Sequence, residues 1–337
     1  MALLEFREGG FYCPAGDFWI DPWTPVERAV VTHAHGDHAL PGSKAYLTAR
    51  SGLGVLQARV GSDAAVEAWE YGETVHVGDV AVSLHPAGHI LGSAQVRLEH
   101  RGEVWVVSGD YKLERDPTCA PFEPLRCHTF VTESTFGLPI FRWPEPARVI
   151  ASIEAWWRGN REANKASVLF AYPLGKAQRI LATISGTDGT IYTHGSVERM
   201  NALYRNAGVS LAETRPVAEA PAKADWQTAL ILAPPDAIGS TWMRRFGNYS
   251  TAFASGWMRI RGTRRRRALD RGFVMSDHAD WPGLLEAIAA TGAESVCVTH
   301  GYRAPLVRWL NEQGVPAFAV EGQYRGEVAD ETAEDTA

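Results

Sequence analysis

The sequence predicts an α/β protein in two parts, and three observations carry that prediction. Short β-branched or alternating runs fill the first third of the chain. Strands alternate with helices after about Phe136, and the same alternation resumes from Phe273. A length of 337 residues suits about two domains, at ~100–200 residues each.

In order, the stretch FYCPAGDFWIDP reads as a hairpin turning at Pro14–Gly16. Runs at 29–32, 46–48, 74–77, 80–85, 94–99 and 103–108 read as strands bounded by Gly, Asp and Pro, with a helix at 49–59. Beyond Phe136 the pattern predicts helix 147–158, strand 168–172, a helix opened by Gly175 and running to 184, strand 190–193 and helix 197–205. Residues 207–227 are polar and carry prolines, as in a loop, before strands at 229–233 and 251–254. Strand 273–275, helix 284–290, strand 295–298, helix 305–312 and strand 317–320 close the pattern. The final GEVADETAEDTA is acidic, lacks apolar periodicity and is expected to be a disordered tail over 326–337.

A composition of 45% apolar and 21% charged residues gives a chain with a real core, in which most of the twelve Trp are expected to be anchors. The net charge of −6 excludes a global positive field, so a nucleic-acid partner would need a local patch. Cys13, Cys119, Cys127 and Cys297 form no C-x-x-C pair and read as free thiols of a reducing compartment. The N-terminus lacks a basic start followed by an apolar run, and no apolar stretch reaches ~18 residues. A cytoplasmic protein with no membrane partner is the expectation.

The strongest local signal is His33-Ala34-His35-Gly36-Asp37-His38, directly after the apolar strand AVVT. Imidazole and carboxylate are the ligands of Zn²⁺ and its first-row neighbours. Neighbouring loop residues point to opposite sides, so one set can serve one metal while its neighbours serve a second. This motif resembles that of the metallo-β-lactamase superfamily. His89 in PAGHILGSA, Asp110 in VSGD and Asp21 in WIDP match its later ligands and an early Asp that orients one. Glu133 in VTESTFG, His278 in SDHAD and His300 in VTHG follow as acid, His, His at strand ends. That order is similar to motifs A, B and C of the β-CASP nucleases. The stretches EVWVVSGDYK, PFEPLRCHTFVTESTFGLPI, GKAQR, FASGWM and RGFVMSDHADW narrow the resemblance to the bacterial ligase-associated DNA exonucleases.

The resemblance implies a metallo-β-lactamase αββα sandwich from 1–137 and 268–325, with a β-CASP-like α/β cap inserted at 138–267. It implies two divalent ions, Zn or Mn. His33, His35, His89 and Asp110 would hold one. Asp37, His38 and His300 would hold the second, with Asp110 bridging. His278 would be the general acid, supported by Glu133, in a reaction on a phosphodiester. The implied substrate is DNA, single-stranded or with a free end, cut 5′→3′ during repair. A DNA ligase and a helicase are the implied partners.

The basic stretch Arg259, Arg261, Arg264, Arg265, Arg266, Arg267 and Arg271 is the candidate for tracking a phosphate backbone. Lys176 and Arg179 open a helix, whose N-terminus can hold phosphate. Ser134, Thr135, Ser255 and Gly256 offer hydroxyls or amides to a terminal phosphate. The metal motifs do not separate DNA from RNA, so an RNA-processing nuclease stays open. A thioester or lactam hydrolase would use the first motifs but leave the insert, the arginines and Glu133/His278 without a purpose. A non-catalytic nucleic-acid binder would not need the full ligand set.

Overall fold

The computed structural model describes residues 2–185, 189–260 and 269–321. The expectations placed on Arg261, Arg264, Arg265, Arg266, Arg267 and the acidic tail lie outside the described residues. The chain divides into two units, Met1–Phe141 with His278–Ala337, and Arg142–Asp277.

The first unit opens with strands β1 (Glu5–Arg7), β2 (Gly10–Cys13), β3 (Phe18–Ile20), β4 (Arg28–Val30), β5 (Ala45–Ala49) and β6 (Val66–Trp69), which lie side by side in chain order. They pair antiparallel up to β3 and parallel beyond it. Helix α1 (Leu53–Val60) links β5 to β6. A second sheet begins with β7 (Thr74–Val77), β8 (Val80–Pro86), β9 (Ala94–His100), β10 (Glu103–Val107) and β11 (Thr129–Ser134). Phe11, Ile20, Val30 and Leu47 of the first sheet share one apolar core with Val82, Leu84, Val96 and Leu98 of the second.

The second unit carries α2 (Pro146–Glu162), β12 (Ala166–Phe170), α3 (Lys176–Thr183), β13 (Ile191–Thr193), α4 (Gly195–Asn206), β14 (Arg215–Pro216), β15 (Leu230–Ala233), β16 (Tyr249–Ala254) and β17 (Arg271–Phe273). Its sheet is parallel throughout, in the order β14-β13-β15-β12-β16-β17. Every residue of β12 and β15 is buried, as in a parallel sheet covered on both faces. Pro146 starts α2 where its missing N–H costs nothing. Val149, Ile150, Ile153, Trp156 and Trp157 then fall on one helical stripe and join the core, so these two Trp are anchors.

The chain returns to the first unit with α5 (Trp281–Thr291), β18 (Ser295–Gly301), α6 (Arg303–Glu312) and β19 (Ala317–Ala319). The second sheet then reads β19-β18-β11-β10-β9-β8-β7. Side chains alternate across it. Val107, Val131 and Cys297 enter the core shared with the first sheet, while Val106, Phe130, Val296 and Val298 pack with Leu284, Ile288, Leu306 and Leu310 of α5 and α6. Burial of each such side chain contributes ~1.5–3 kcal/mol. Strands β1, β6, β11 and β14 are additions to the elements expected from sequence, β14 falling within the 207–227 stretch expected as loop. Strand β11 is buried at all six positions and so shows no polar alternation to read.

Candidate metal centre

The residues of the H-x-H-x-D-H motif follow β4, on a turn in which the amides of His38 and Ala39 donate to the His35 carbonyl. His89 follows β8, Asp110 follows β10, Glu133 lies in β11, His300 in β18, and His278 comes shortly before α5. Strand ends thus deliver these side chains from distant parts of the chain. Ligand atoms of His33, His35, His89 and Asp110 lie within 4.8 Å of one another, and those of His38, Asp110 and His300 meet the same limit. Asp110 belongs to both groups. Asp37 stands beside the second, with Oδ2 3.8 Å from His38 Nε2.

For His33, His38 and His300, hydrogen bonds on the far side of the ring set which nitrogen faces inward. Asp21 accepts from the Thr32 amide at 2.7 Å and the Thr32 hydroxyl at 2.5 Å, and its Oδ2 takes His38 Nδ1–H at 2.7 Å. His38 Nε2 is left 3.5 Å from Asp110 Oδ2. His300 Nε2 is 2.8 Å from Asp110 Oδ1, and His33 Nε2 is 3.4 Å from Asp110 Oδ2. His35 Nδ1 and His89 Nε2 approach to 3.0 Å. The buried His33 Nε2 has no hydrogen bond of good geometry. Ring nitrogens and a carboxylate converge here within ligand distance of one another, an arrangement that a cation between them would suit. The residues present therefore fit divalent metal.

The electrostatics agree. Burial, then the charge of His38, pushes His33 well below the usual histidine range. Burial also opposes a charge on His38, yet Asp110, Asp37 and Asp21 raise it to about 10. Burial would raise Asp110, but His38, His300 and His278 hold it well below the carboxylate range. Burial likewise works against Asp37, and His38 with His35 and His300 lowers it. The pocket is built to keep carboxylates ionised and to take up positive charge.

Glu133 binds His278 Nδ1 at 3.1 and 3.0 Å through its two oxygens. Its Oε1 also accepts from the Tyr111 amide at 2.9 Å, which ties it to the residue after Asp110. His278 Nδ1 is 3.8 Å from Asp110 Oδ2, so this pair adjoins the shared carboxylate. Positive backbone φ at Gly109 (56°) and Gly301 (84°) lets the chain turn beside both Asp110 and His300. A Cβ at Gly301 would lie 2.2 Å from the Ser134 carbonyl.

Three expectations from sequence need correction. Ser134 is fully buried and donates to the carbonyls of His300 (2.6 Å) and Thr299 (3.2 Å), so it ties β11 to β18 instead of meeting a phosphate. Lys176 (0% exposed) and Arg179 (4%) are buried in the second unit rather than presented at the start of α3. Lys176 Nζ lies 3.6 Å from Asp277 and over the Tyr172 ring, and Arg179 donates to the Ser276 carbonyl at 2.6 Å. Arg259 is exposed. Sequence reasoning missed Thr32 and Thr299, although each directly precedes a histidine in Val-Thr-His.

No family model matches the chain. It is 30% identical over 314 residues to a probable DNA ligase of Opitutus terrae, a match covering 92% of this chain and 30% of that protein. It is 26% identical over 209 residues to an RNase J-like protein of Methanocaldococcus jannaschii, covering 53% of this chain and 50% of the relative. Endoribonuclease ysh-1 of Neurospora crassa is 28% identical over 119 residues, or 34% of this chain and 14% of that protein. The chain thus spans half or less of the length of these relatives. A protein of unknown function from Enterococcus faecalis shares the fold, with a TM-score of 0.56 at 13% identity over 88% of this chain and 79% of that one. By name two of these relatives are ribonucleases, and the histidine–aspartate cluster of this chain fits metal-dependent chemistry. Among the described residues, no helix is long and apolar enough to cross a membrane.

Proposed function

We propose that the chain is a metal-dependent nuclease that degrades DNA from a free end, with 5′→3′ polarity, in repair. The observation that carries this reading is the pair of ligand groups sharing Asp110 beside the Glu133–His278 couple. In this reading the first unit is a metallo-β-lactamase domain and the second its inserted β-CASP-like cap.

His33, His35, His89 and Asp110 would hold one divalent cation, and Asp37, His38, His300 and the shared Asp110 the other, as Zn²⁺ or Mn²⁺. When bound, such a pair supplies Lewis-acid activation of water and offsets the charge of a phosphodiester. Asp21 orients His38 through Nδ1. Glu133 accepts Nδ1–H of His278, which leaves Nε2 to carry the proton given to the leaving oxygen. Arg259, exposed beside the run containing Arg261, Arg264 and Arg265, would track the strand.

The probable DNA ligase of Opitutus terrae, matched over 92% of this chain, supports DNA as substrate and a ligase as partner. A helicase of the same pathway follows from the family resemblance alone. The names RNase J-like protein and endoribonuclease favour a second reading, an RNA-processing nuclease on the same site. Matched DNA and RNA strands labelled at either end, incubated with Mn²⁺ or Zn²⁺, test both. Early release of the 5′ label from DNA is expected. His278→Ala and Asp37→Ala should each lose at least ~10²-fold in rate. Clear preference for RNA would select the second reading, and no phosphodiester cleavage in any arm would overturn both.

A further inference from the structure

We propose that Thr32 and Thr299 are paired positioning residues, each fixing the following histidine so that its Nε2 lone pair faces Asp110. The proposal rests on the metal-site half of the reading above and does not depend on the substrate.

A threonine hydroxyl has a single proton to give. Thr32 Oγ1 lies 2.5 Å from Asp21 Oδ2, and a carboxylate there only accepts. The proton is therefore committed to Asp21, and at 3.1 Å His33 Nδ1 must be the donor to Thr32. The same logic holds at Thr299, whose hydroxyl donates to the Thr132 carbonyl at 3.0 Å and so receives His300 Nδ1–H, also at 3.0 Å. A neutral imidazole protonated at Nδ1 carries its lone pair on Nε2. Those two Nε2 atoms lie 3.4 and 2.8 Å from the oxygens of Asp110.

The device appears twice as Val-Thr-His, at 31–33 and at 298–300, once in each ligand group. The copies end on different acceptors. Thr299 ends on a backbone carbonyl, whereas Thr32 ends on Asp21, which also holds His38. Thr32 is further enclosed by the loop carrying Asp110, since a Cβ at Gly109 would come within 2.5 Å of its hydroxyl. Loss of the Thr32 hydroxyl should thus disturb both ligand groups, and loss of the Thr299 hydroxyl only one.

The test is Zn²⁺ affinity by competition with a chromogenic chelator, with visible spectra of the Co²⁺-loaded protein. Thr32→Val and Thr299→Val should lower affinity by roughly 10–100-fold, the usual effect of losing an outer partner. Thr32→Val should also alter the Co²⁺ spectrum more than Thr299→Val does. Thr32→Ser and Thr299→Ser keep the hydroxyl and should bind like wild type. Wild-type affinity in both valine variants would overturn the proposal, as would serine variants as weak as valine. If Thr32→Val does not fold, Thr299→Val against Thr299→Ser decides. A protein that binds metal as expected yet cleaves no nucleic acid would sink only the nuclease reading.

Discussion

In the first unit, Asp21, Asp37, Asp110 and Glu133 gather around His33, His35, His38, His89, His278 and His300, and the Nε2 atoms of His33, His38, His89 and His300 lie within 3.8 Å of the shared Asp110 carboxylate. In the second, the buried cations Lys176 and Arg179 are met by protein groups: the Asp277 carboxylate, the Tyr172 ring and the Ser276 carbonyl. Beside them Gln178 bonds Asn201 at 2.8 Å and accepts from the Gly175 amide at 2.8 Å. Both regions remove charge from water, which is costly unless compensated. The second supplies its compensation from its own chain and so serves the fold. The first holds carboxylates ionised against burial and gathers ring nitrogens that compete for positive charge, so its compensation is expected from a bound cation.

The largest effect that would test this contrast lies in the second unit. Lys176→Met removes the cation 3.6 Å from the buried Asp277 carboxylate and should cost ~3–5 kcal/mol of stability, with metal content unchanged. The double variant Lys176→Met/Asp277→Asn should recover most of that loss in denaturant melts. A fall in bound metal without destabilisation would break the comparison.

Chelation sharpens it from the other side. A ligand present at 100 times its Kd stabilises the folded state by ~2.7 kcal/mol, so stripping metal should lower the first unit's unfolding midpoint accordingly. Hydrogen exchange would follow the two units separately. Equal loosening of β12 and β15 would contradict the division of roles.

The smallest effect concerns Glu198. Burial would raise this carboxyl, but hydrogen bonds from Thr193, Thr214, Arg205 and Asn201 lower it. Its stabilisation is therefore complete above the unfolded carboxyl pKa of ~4.3 and is lost as pH falls through the lower folded value. Glu198→Gln should cost ~1 kcal/mol at pH 6 and flatten the acid limb of the second unit's stability curve. An unchanged acid limb would remove Glu198 from that account.

Much of the centre was legible in the residues. H-x-H-x-D-H announces itself by density, and His89, Asp110, His278 and His300 sit where short apolar runs end. Other parts were not. The helix start at Gly175 looked open, because sequence shows that Lys176 and Arg179 are basic but not that Asp277 and Ser276, about a hundred positions later, cover them. Ser134 looked like a hydroxyl on offer until β11 paired with β18.

The sequence by itself determined which side chains can bind metal and that they occupy strand ends, because local patterning reports burial and chain direction. Only the tertiary structure decided which of them meet, since that depends on pairings such as Ser134 with His300, 166 positions apart. It also decided the direction of each imidazole, because a ring's tautomer is set by a partner across space, and neighbours in sequence do not reveal where that partner's proton goes.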